Sequence, residues 1–314
     1  APEDPRREAM ESAEPDALAV LNRALSARPQ LLRINGDLGT RPVVVINCVE
    51  AEGAAVFPRL VVEMGRSSRA TVVEVFASAD VASLVVPVTH LFLAPNADLS
   101  YLNLQAVGPA VWQIGLQVSQ VGRDARLTSA AVALGGDYAR LRTDSALVGE
   151  GCSSRLLAVY FGSGQQMHDF RTLQAHRAPH TTSNLLYKGA VANRARSVYS
   201  GLIRVEKGAR ATTAFQTNRN LVLHEGAHAD SVPNLEIEDN DVRCSHASAV
   251  GPIDADQRFY LESRGVPTRV AERLIALGFL DDALAGIPVG GAMDPIRRQL
   301  AAKLADAEAQ EEAW

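Results

Sequence analysis

The feature that most constrains this chain is a turn that keeps returning at nearly the same interval. Units of small and charged residues precede strand-like runs at Ser68-Arg69-Ala70, Asn96-Ala97-Asp98, Asp124-Ala125-Arg126, Cys152-Ser153-Ser154, Pro179-His180-Thr181 and Gly208-Ala209-Arg210. Counted at residues 69, 97, 125, 152, 180 and 209, the steps are 28, 28, 27, 28 and 29. A near-constant period in this range is the mark of stacked repeats, in which one turn cannot bury its apolar face alone and must rest on the next. Small residues at the corners let the backbone turn tightly. The competing architecture is a sandwich whose hairpins happen to be of similar length; the repeat favours a β-solenoid.

The texture of the chain frames that body. Residues 5–27 read as a helix, with Leu18, Leu21 and Leu25 at three- and four-residue steps, ended by Arg28-Pro29. Short β-branched runs then begin at Val43–Ile46 and continue through Leu60–Val62, Thr71–Val75 and Leu84–Val88. After Gly251 helices return. Asp254 is placed to cap a helix carrying Phe259, Tyr260 and Leu261 that stops near Gly265, and Pro267-Thr268 opens a second through Val270, Leu274, Ile275 and Leu277. Gly286 to Gly291 reads as a linker before a third helix over 294–312. The expected division is an N-terminal helical segment, 1–40, a β body, 41–250, and a C-terminal helical domain, 251–314.

Charge excludes one class of partner. Lys and Arg number 31 against 36 Asp and Glu, a net charge of −5, and aromatics are 5% of the chain. Neither an electrostatic footprint for nucleic acid nor a base-stacking platform is present. The most apolar window, Val81 to Pro95, is interrupted by Ser83, Pro87, Thr89 and His90 and is too short to span a bilayer. The N-terminus lacks the apolar stretch of a signal peptide and an initiator Met, so the expectation is a cytoplasmic chain that has been processed or trimmed. Cys48, Cys152 and Cys244 lie far apart, which gives no disulfide framework and no CxxC zinc site and fits a reducing compartment.

The chemical motifs are few. No phosphate-cradling G-x-x-x-x-G-K-[ST], no G-x-S-x-G elbow and no G-x-G-x-x-G fingerprint occurs. His224-Glu225-Gly226-Ala227-His228 matches a zinc-protease string letter for letter. That motif works on a helix, where residues four apart share a face. Here Leu221-Val222-Leu223 reads as strand and Gly226 as turn, so solvent-exposed turn histidines are expected instead. His168, His176 and His180 have no metal-motif spacing and read as surface or corner residues. The segment Val242-Arg243-Cys244-Ser245-His246 carries more. In a strand Val242, Cys244 and His246 share one face, the more sheltered one, and Arg243 and Ser245 the other. A thiol and an imidazole so placed suit iron or zinc. The alternative is a buried Cys beside a hydrogen-bonded His, and two ligands alone leave a metal under-coordinated.

Between Val198 and Gly265 a set of longer strings appears in order: Tyr199-Ser200-Gly201, Gln216-Thr217-Asn218-Arg219-Asn220-Leu221, Ala227-His228-Ala229-Asp230-Ser231-Val232-Pro233-Asn234-Leu235-Glu236-Ile237, Cys244-Ser245-His246-Ala247, and Phe259-Tyr260-Leu261 with Ser263-Arg264-Gly265. This stretch resembles the shared core of the SufB/SufD family of iron–sulfur cluster assembly scaffolds, and the Cys-x-His form of Cys244-Ser245-His246 places it on the SufD side. The family usually has a longer N-terminal region than this chain. The resemblance implies a right-handed parallel β-helix with a C-terminal helical domain, and no enzyme activity of its own. It implies two partners: a SufC-type ABC ATPase on the helical domain and a SufB-type scaffold at the β-helix edge; apart from the resemblance, exposed solenoid edges favour pairing with another copy, so a homodimer is expected in isolation. It implies no cofactor held firmly by this chain alone, with an iron–sulfur cluster forming in the complex. His246, with Cys244, would then be an iron or cluster ligand at the SufB interface. Phe259, Tyr260, Arg264 and Gly265 would dock the ATPase, although Phe259 and Tyr260 equally suit packing of the helical domain on itself. The competing functions are a β-helix polysaccharide-acting enzyme, against which stand sparse aromatics and the missing secretion signal, and the zinc protease.

Overall fold

The computed structural model describes residues 16–312. Residues 5–15, the first part of the expected N-terminal helix, lie outside the described residues. Helix α1 is Ala17–Leu25, capped by the Asp16 side chain on the Leu18 amide. It is anchored by Asn22, whose amide donates to the carbonyls of Pro58 and Val86.

Among the described residues the β body consists of two parallel sheets. One follows the order β1 (Gln30–Ile34), β4 (Arg59–Met64), β7 (Val88–Leu93), β9 (Val111–Val121), β11 (Tyr138–Leu147), β13 (Met167–His176), β15 (Arg196–Val205) and β17 (His228–Ile237), with the short β3 (Ala55–Val56) and β6 (Ser83–Val85) at its side. The other runs β2 (Val43–Val49), β5 (Arg69–Ser78), β8 (Asp98–Ala106), β10 (Arg126–Ala133), β12 (Ser153–Gly162), β14 (Thr182–Val191), β16 (Thr212–Val222) and β18 (Val242–Gly251). From β7 onward consecutive strands alternate between the sheets, and every pairing is parallel. This is a β-solenoid, not a sandwich of antiparallel hairpins. Its first strand, β1, lies ahead of residue 41.

The 28-residue period is one rung. Each of the six turn units leads into a strand of the second sheet, from β5 to β16. Just before those strands Ser67, Asn96, Asp124, Gly151, His180 and Ala211 take positive φ. A chain that must reverse tightly at the same corner in every rung needs a left-handed residue there, and Asn, Asp and Gly carry the least penalty for it. Behind the corners Ala97, Ala125, Cys152 and Ala209 are fully buried, because only small side chains fit between rungs at the bend.

Three further helices follow β18: α2 (Ala255–Glu262), α3 (Thr268–Leu284) and α4 (Gly290–Glu312). Asp254 caps α2 as the sequence predicts, accepting from the amides of Asp256 and Gln257. Helices α3 and α4 lie back along the second sheet. Ala276, Leu280, Ala283, Leu284, Ile296, Leu300 and Leu304 form one core with Val132, Leu157, Val159, Phe161 and Ala190. Helices α3 and α4 thus share one core with the second sheet. No described helix is long and apolar enough to cross a membrane.

Candidate functional site

The solenoid ends bare. Among the described residues β17 pairs only with β15 and β18 only with β16, so the outer edge of each sheet carries unpaired backbone groups. Pro233 sits within β17, a position that an edge strand tolerates because one side of it needs no donor. Val232 and Val250 are 53% and 43% exposed on these last strands.

Cys244 and His246 lie on this last rung. Cys244 packs inward against Ile203, Val205, Ala209 and Ala214, and burial pushes its thiol up, offset in part by a hydrogen bond with the Ala214 backbone. The thiol therefore remains protonated near neutral pH and behaves as packing. His246 is two residues further along the same strand, on the same face, roughly 7 Å away. The expected shared face is real, but its shelter is not: His246 is exposed. The rung below is buried at the matching positions, Ala214 and Gln216. No rung stacks above β18, so the inward face of its second half meets solvent. No group of three or more His, Cys, Asp or Glu among the described residues could hold a metal ion. Cys244 and His246 can thus supply at most part of a ligand set.

Beneath His246 the lumen holds residues whose roles no spacing rule reveals. Gln216 is its register partner on β16, 1% exposed, and neither its amide oxygen nor its nitrogen has a hydrogen-bond partner. Gln216 Nε2 and the Tyr199 hydroxyl both crowd the Cα of Gly201. A Cβ there would stand 2.5 Å from the first and 2.3 Å from the second. Tyr199 is held in turn by Thr172 at 3.0 Å. The strings Tyr199-Ser200-Gly201 and Gln216-Thr217-Asn218 thus meet across the lumen. The family-like strings contain these residues, but the reason for them lies in the packing across the lumen.

The second candidate surface is on α2 and α3. Phe259 is 69% and Tyr260 56% exposed, and Leu274 on α3 is 53% exposed. The two aromatics therefore do not pack the helices on themselves. The Arg264 guanidinium lies over the Tyr260 ring, 4.4 Å from its centre, a cation–π contact between the two. Gly265 serves the chain reversal: it takes φ +82°, and its amide and that of Val266 close the end of α2 onto Glu262 and Leu261.

The remaining histidines correct the sequence reading. His224 and His228 flank a turn and are not on a helix, so they do not share a face. His224 is not a solvent-exposed turn residue either. Its Nδ1 accepts the Asn193 amide proton at 2.8 Å and lies 3.2 Å from Glu311 of α4. Gly226 is there because a Cβ would stand 2.7 Å from the Asn193 carbonyl. The protease-like string is a stacking corner. His168 and His176, expected at the surface, are fully buried. Burial lowers His168 to about 3 and His176 to about 4, so both are neutral. His176 is held between Thr181 Oγ1 and Ser183 Oγ, at 2.7 and 2.9 Å. His180 alone of the three is an exposed corner residue, at φ 59°.

Comparison with known proteins follows this geometry. Residues 47–279 match the family model described as SUF system FeS cluster assembly, SufBD core domain. An iron–sulfur cluster assembly SufBD family protein of Mycobacterium tuberculosis is 40% identical over 200 residues, covering 60% of this chain and 50% of its own length. The iron–sulfur cluster assembly protein SufD of Escherichia coli is 32% identical over 218 residues, covering 69% of this chain and 52% of that protein. SufD of Bacillus subtilis is 28% identical over 264 residues, covering 82% and 59%. The chain spans about half the length of the curated relatives it matches.

Proposed function

This chain belongs to the SufBD family of iron–sulfur cluster assembly proteins, SufD-like in its relatives, and from that premise we propose that it is a non-ATPase scaffold subunit, without catalytic activity of its own. In this reading it works in the cytoplasm beside a SufB-type scaffold and a SufC-type ATPase, and the cluster is the cargo assembled between chains. The observation that carries the reading is the bare last rung, where two bridging edges and an exposed imidazole are presented together. A lone His with a protonated thiol cannot complete a coordination sphere, so the remaining ligands come from the chain that docks on β17 and β18. The patch of Phe259, Tyr260 and Leu274 supports a second docking surface, because exposed aromatics beside an Arg are the usual anchors of an interface. Neither competing function gains from the structure: the protease string has no helix.

The test is reconstitution with both partner types. His246→Ala should leave folding and assembly of the complex intact and abolish cluster formation, read as iron and sulfide per complex. Cys244→Ala should lose much less. Phe259→Ser with Leu274→Ser should instead weaken ATPase binding by tenfold or more, about 1.4 kcal/mol or above, measured by calorimetry. Normal cluster formation in His246→Ala would remove the site from this reading.

A further inference from the structure

Resting on the reading that His246 is a ligand, we infer that Gln216 is its positioning residue: the Gln216 side-chain carbonyl accepts one ring N–H of His246 and leaves the other ring nitrogen with its lone pair facing the open end.

Three observations carry this. Gln216 is nearly fully buried, yet both polar atoms of its carboxamide are without partners. Buried polar groups are satisfied as a rule, and one that is not usually has a functional reason. The carboxamide is also fixed in place, because its nitrogen rests against Gly201 beside a Tyr199 hydroxyl that Thr172 already holds. Finally, Gln216 and His246 are Cα partners on adjacent strands of a parallel ladder. Adjacent strands are about 4.8 Å apart, so side chains on the same face lie one above the other. His246 is exposed and free to turn its ring down onto the carboxamide. Of the neighbouring inward residues, Cys244 is engaged with apolar side chains, Pro233 and Leu235 carry no side-chain acceptor, and the partnerless Ser231 hydroxyl lies on the opposite strand, so Gln216 is the acceptor directly in register beneath His246.

The chemistry explains why such a residue belongs there. A histidine binds a metal through one nitrogen, and the partner of its other N–H fixes which nitrogen that is. A neutral carbonyl does this without adding charge. Gln is long enough to reach up one rung, whereas Asn at 216 would stop one methylene short.

The test reads the tautomer of His246 directly, by nitrogen NMR of selectively labelled full-length chain, with no partner or metal present. The wild-type chain should show His246 biased roughly fivefold toward one tautomer, the bias expected of one hydrogen bond of ordinary net strength. Gln216→Leu should erase the bias, and Gln216→Glu, which retains an acceptor at the same reach, should restore it. A purely structural role would lower thermal stability in Gln216→Leu and leave the tautomer ratio where it was, and that result would overturn the inference. If Gln216→Leu does not fold, Gln216→Asn gives the same reading: an unchanged bias sinks the proposal. Cluster formation in the reconstituted complex separates the two levels. Normal loading of His246→Ala together with a tautomer shift in Gln216→Leu would end the ligand reading and keep the contact. Failed loading of His246→Ala with no tautomer shift would end the contact alone.

Discussion

At the scale of the residue, the decisive quantity is the space between rungs. Gly201 shows it most sharply, since a single methyl group there would enter the volume of the Tyr199 hydroxyl and the Gln216 amide. Neither can retreat easily, because Tyr199 is fully buried and bonded to Thr172. Overpacking of this kind costs about 1–3 kcal/mol. Gly201→Ala should therefore lower the unfolding free energy by that amount, read as a lower denaturation midpoint at unchanged slope. Gly208 makes a control: a Cβ there meets nothing within 4 Å, and only its φ of +91° resists substitution. Gly208→Ala should be the milder change, and equal losses in a chemical denaturation series would count against the crowding argument. The histidines mark what one residue's letter does not reveal. Spacing that fits no motif makes His168 and His176 read as surface or corner residues. In a solenoid, however, burial follows strand parity: the inward set on β13 is 168, 170, 172, 174 and 176, and its polar members divide, with Thr172 and His176 hydrogen-bonded while His168 Nδ1 and both amide atoms of Gln174 have no partner. His246 fails in the opposite direction, since parity was right and the missing next rung decided its exposure.

At the scale of the element, α4 is a strap laid across successive corners. Lys303 donates to the Leu134 carbonyl, and to the Phe161 carbonyl and Gln166 Oε1 at 2.5 Å. One turn on, the Ala307 carbonyl receives Asn193 Nδ2 at 2.9 Å, and a further turn on, Glu311 meets His224. The 6 Å advance of four helical residues nearly matches the 4.8 Å rung spacing, so each turn of α4 meets about one corner. Sequence could not show this, because Lys303 looks like any solvent-facing lysine of an Ala-rich helix. Burial without a carboxylate partner lowers its amine from 10.5 to about 7. The docked helix therefore holds fewer protons than the released one between about pH 7 and 10.5. Docking should strengthen as pH rises through that window and be weakest below 7. The other titratable group against Lys303, His168, is neutral throughout because its own value lies near 3. Hydrogen exchange of the 296–307 amides, corrected for intrinsic rates, should show protection rising from pH 6.5 to 9. Lys303→Met, of similar length and without a proton to lose, should flatten the dependence. A slope that survives in Lys303→Met would assign it to another group.

At the scale of the whole molecule, the repeat period carries the architecture, and the candidate site lies at one end of it. A constant step between turn units was enough to choose a solenoid, because only stacked rungs force the same corner to recur. It could not say where stacking stops, and the candidate site lies at that stop. A solenoid with bare edges is a template for pairing. Among the described residues two pairs of strands lie at a sheet edge: β1 and β2, where Val44 and Ile46 are exposed, and β17 and β18. Under the proposed function the second pair is the docking surface for a related scaffold, and in isolation it should accept a second copy of the chain in the same way. Sedimentation of the purified chain should then show a dimer. Val232→Lys with Val250→Lys should convert it to monomer with unchanged circular dichroism, because a charge on an edge strand opposes strand addition without disturbing the rungs behind it. The same double variant should lose the SufB-type partner, since both partners would compete for one pair of edges, and titrating that partner into wild-type chain should dissolve the homodimer. If the double variant still dimerises and Ile46→Lys abolishes the dimer instead, self-association belongs to the β1 and β2 end, and the bare last rung is reserved for the heterologous partner alone.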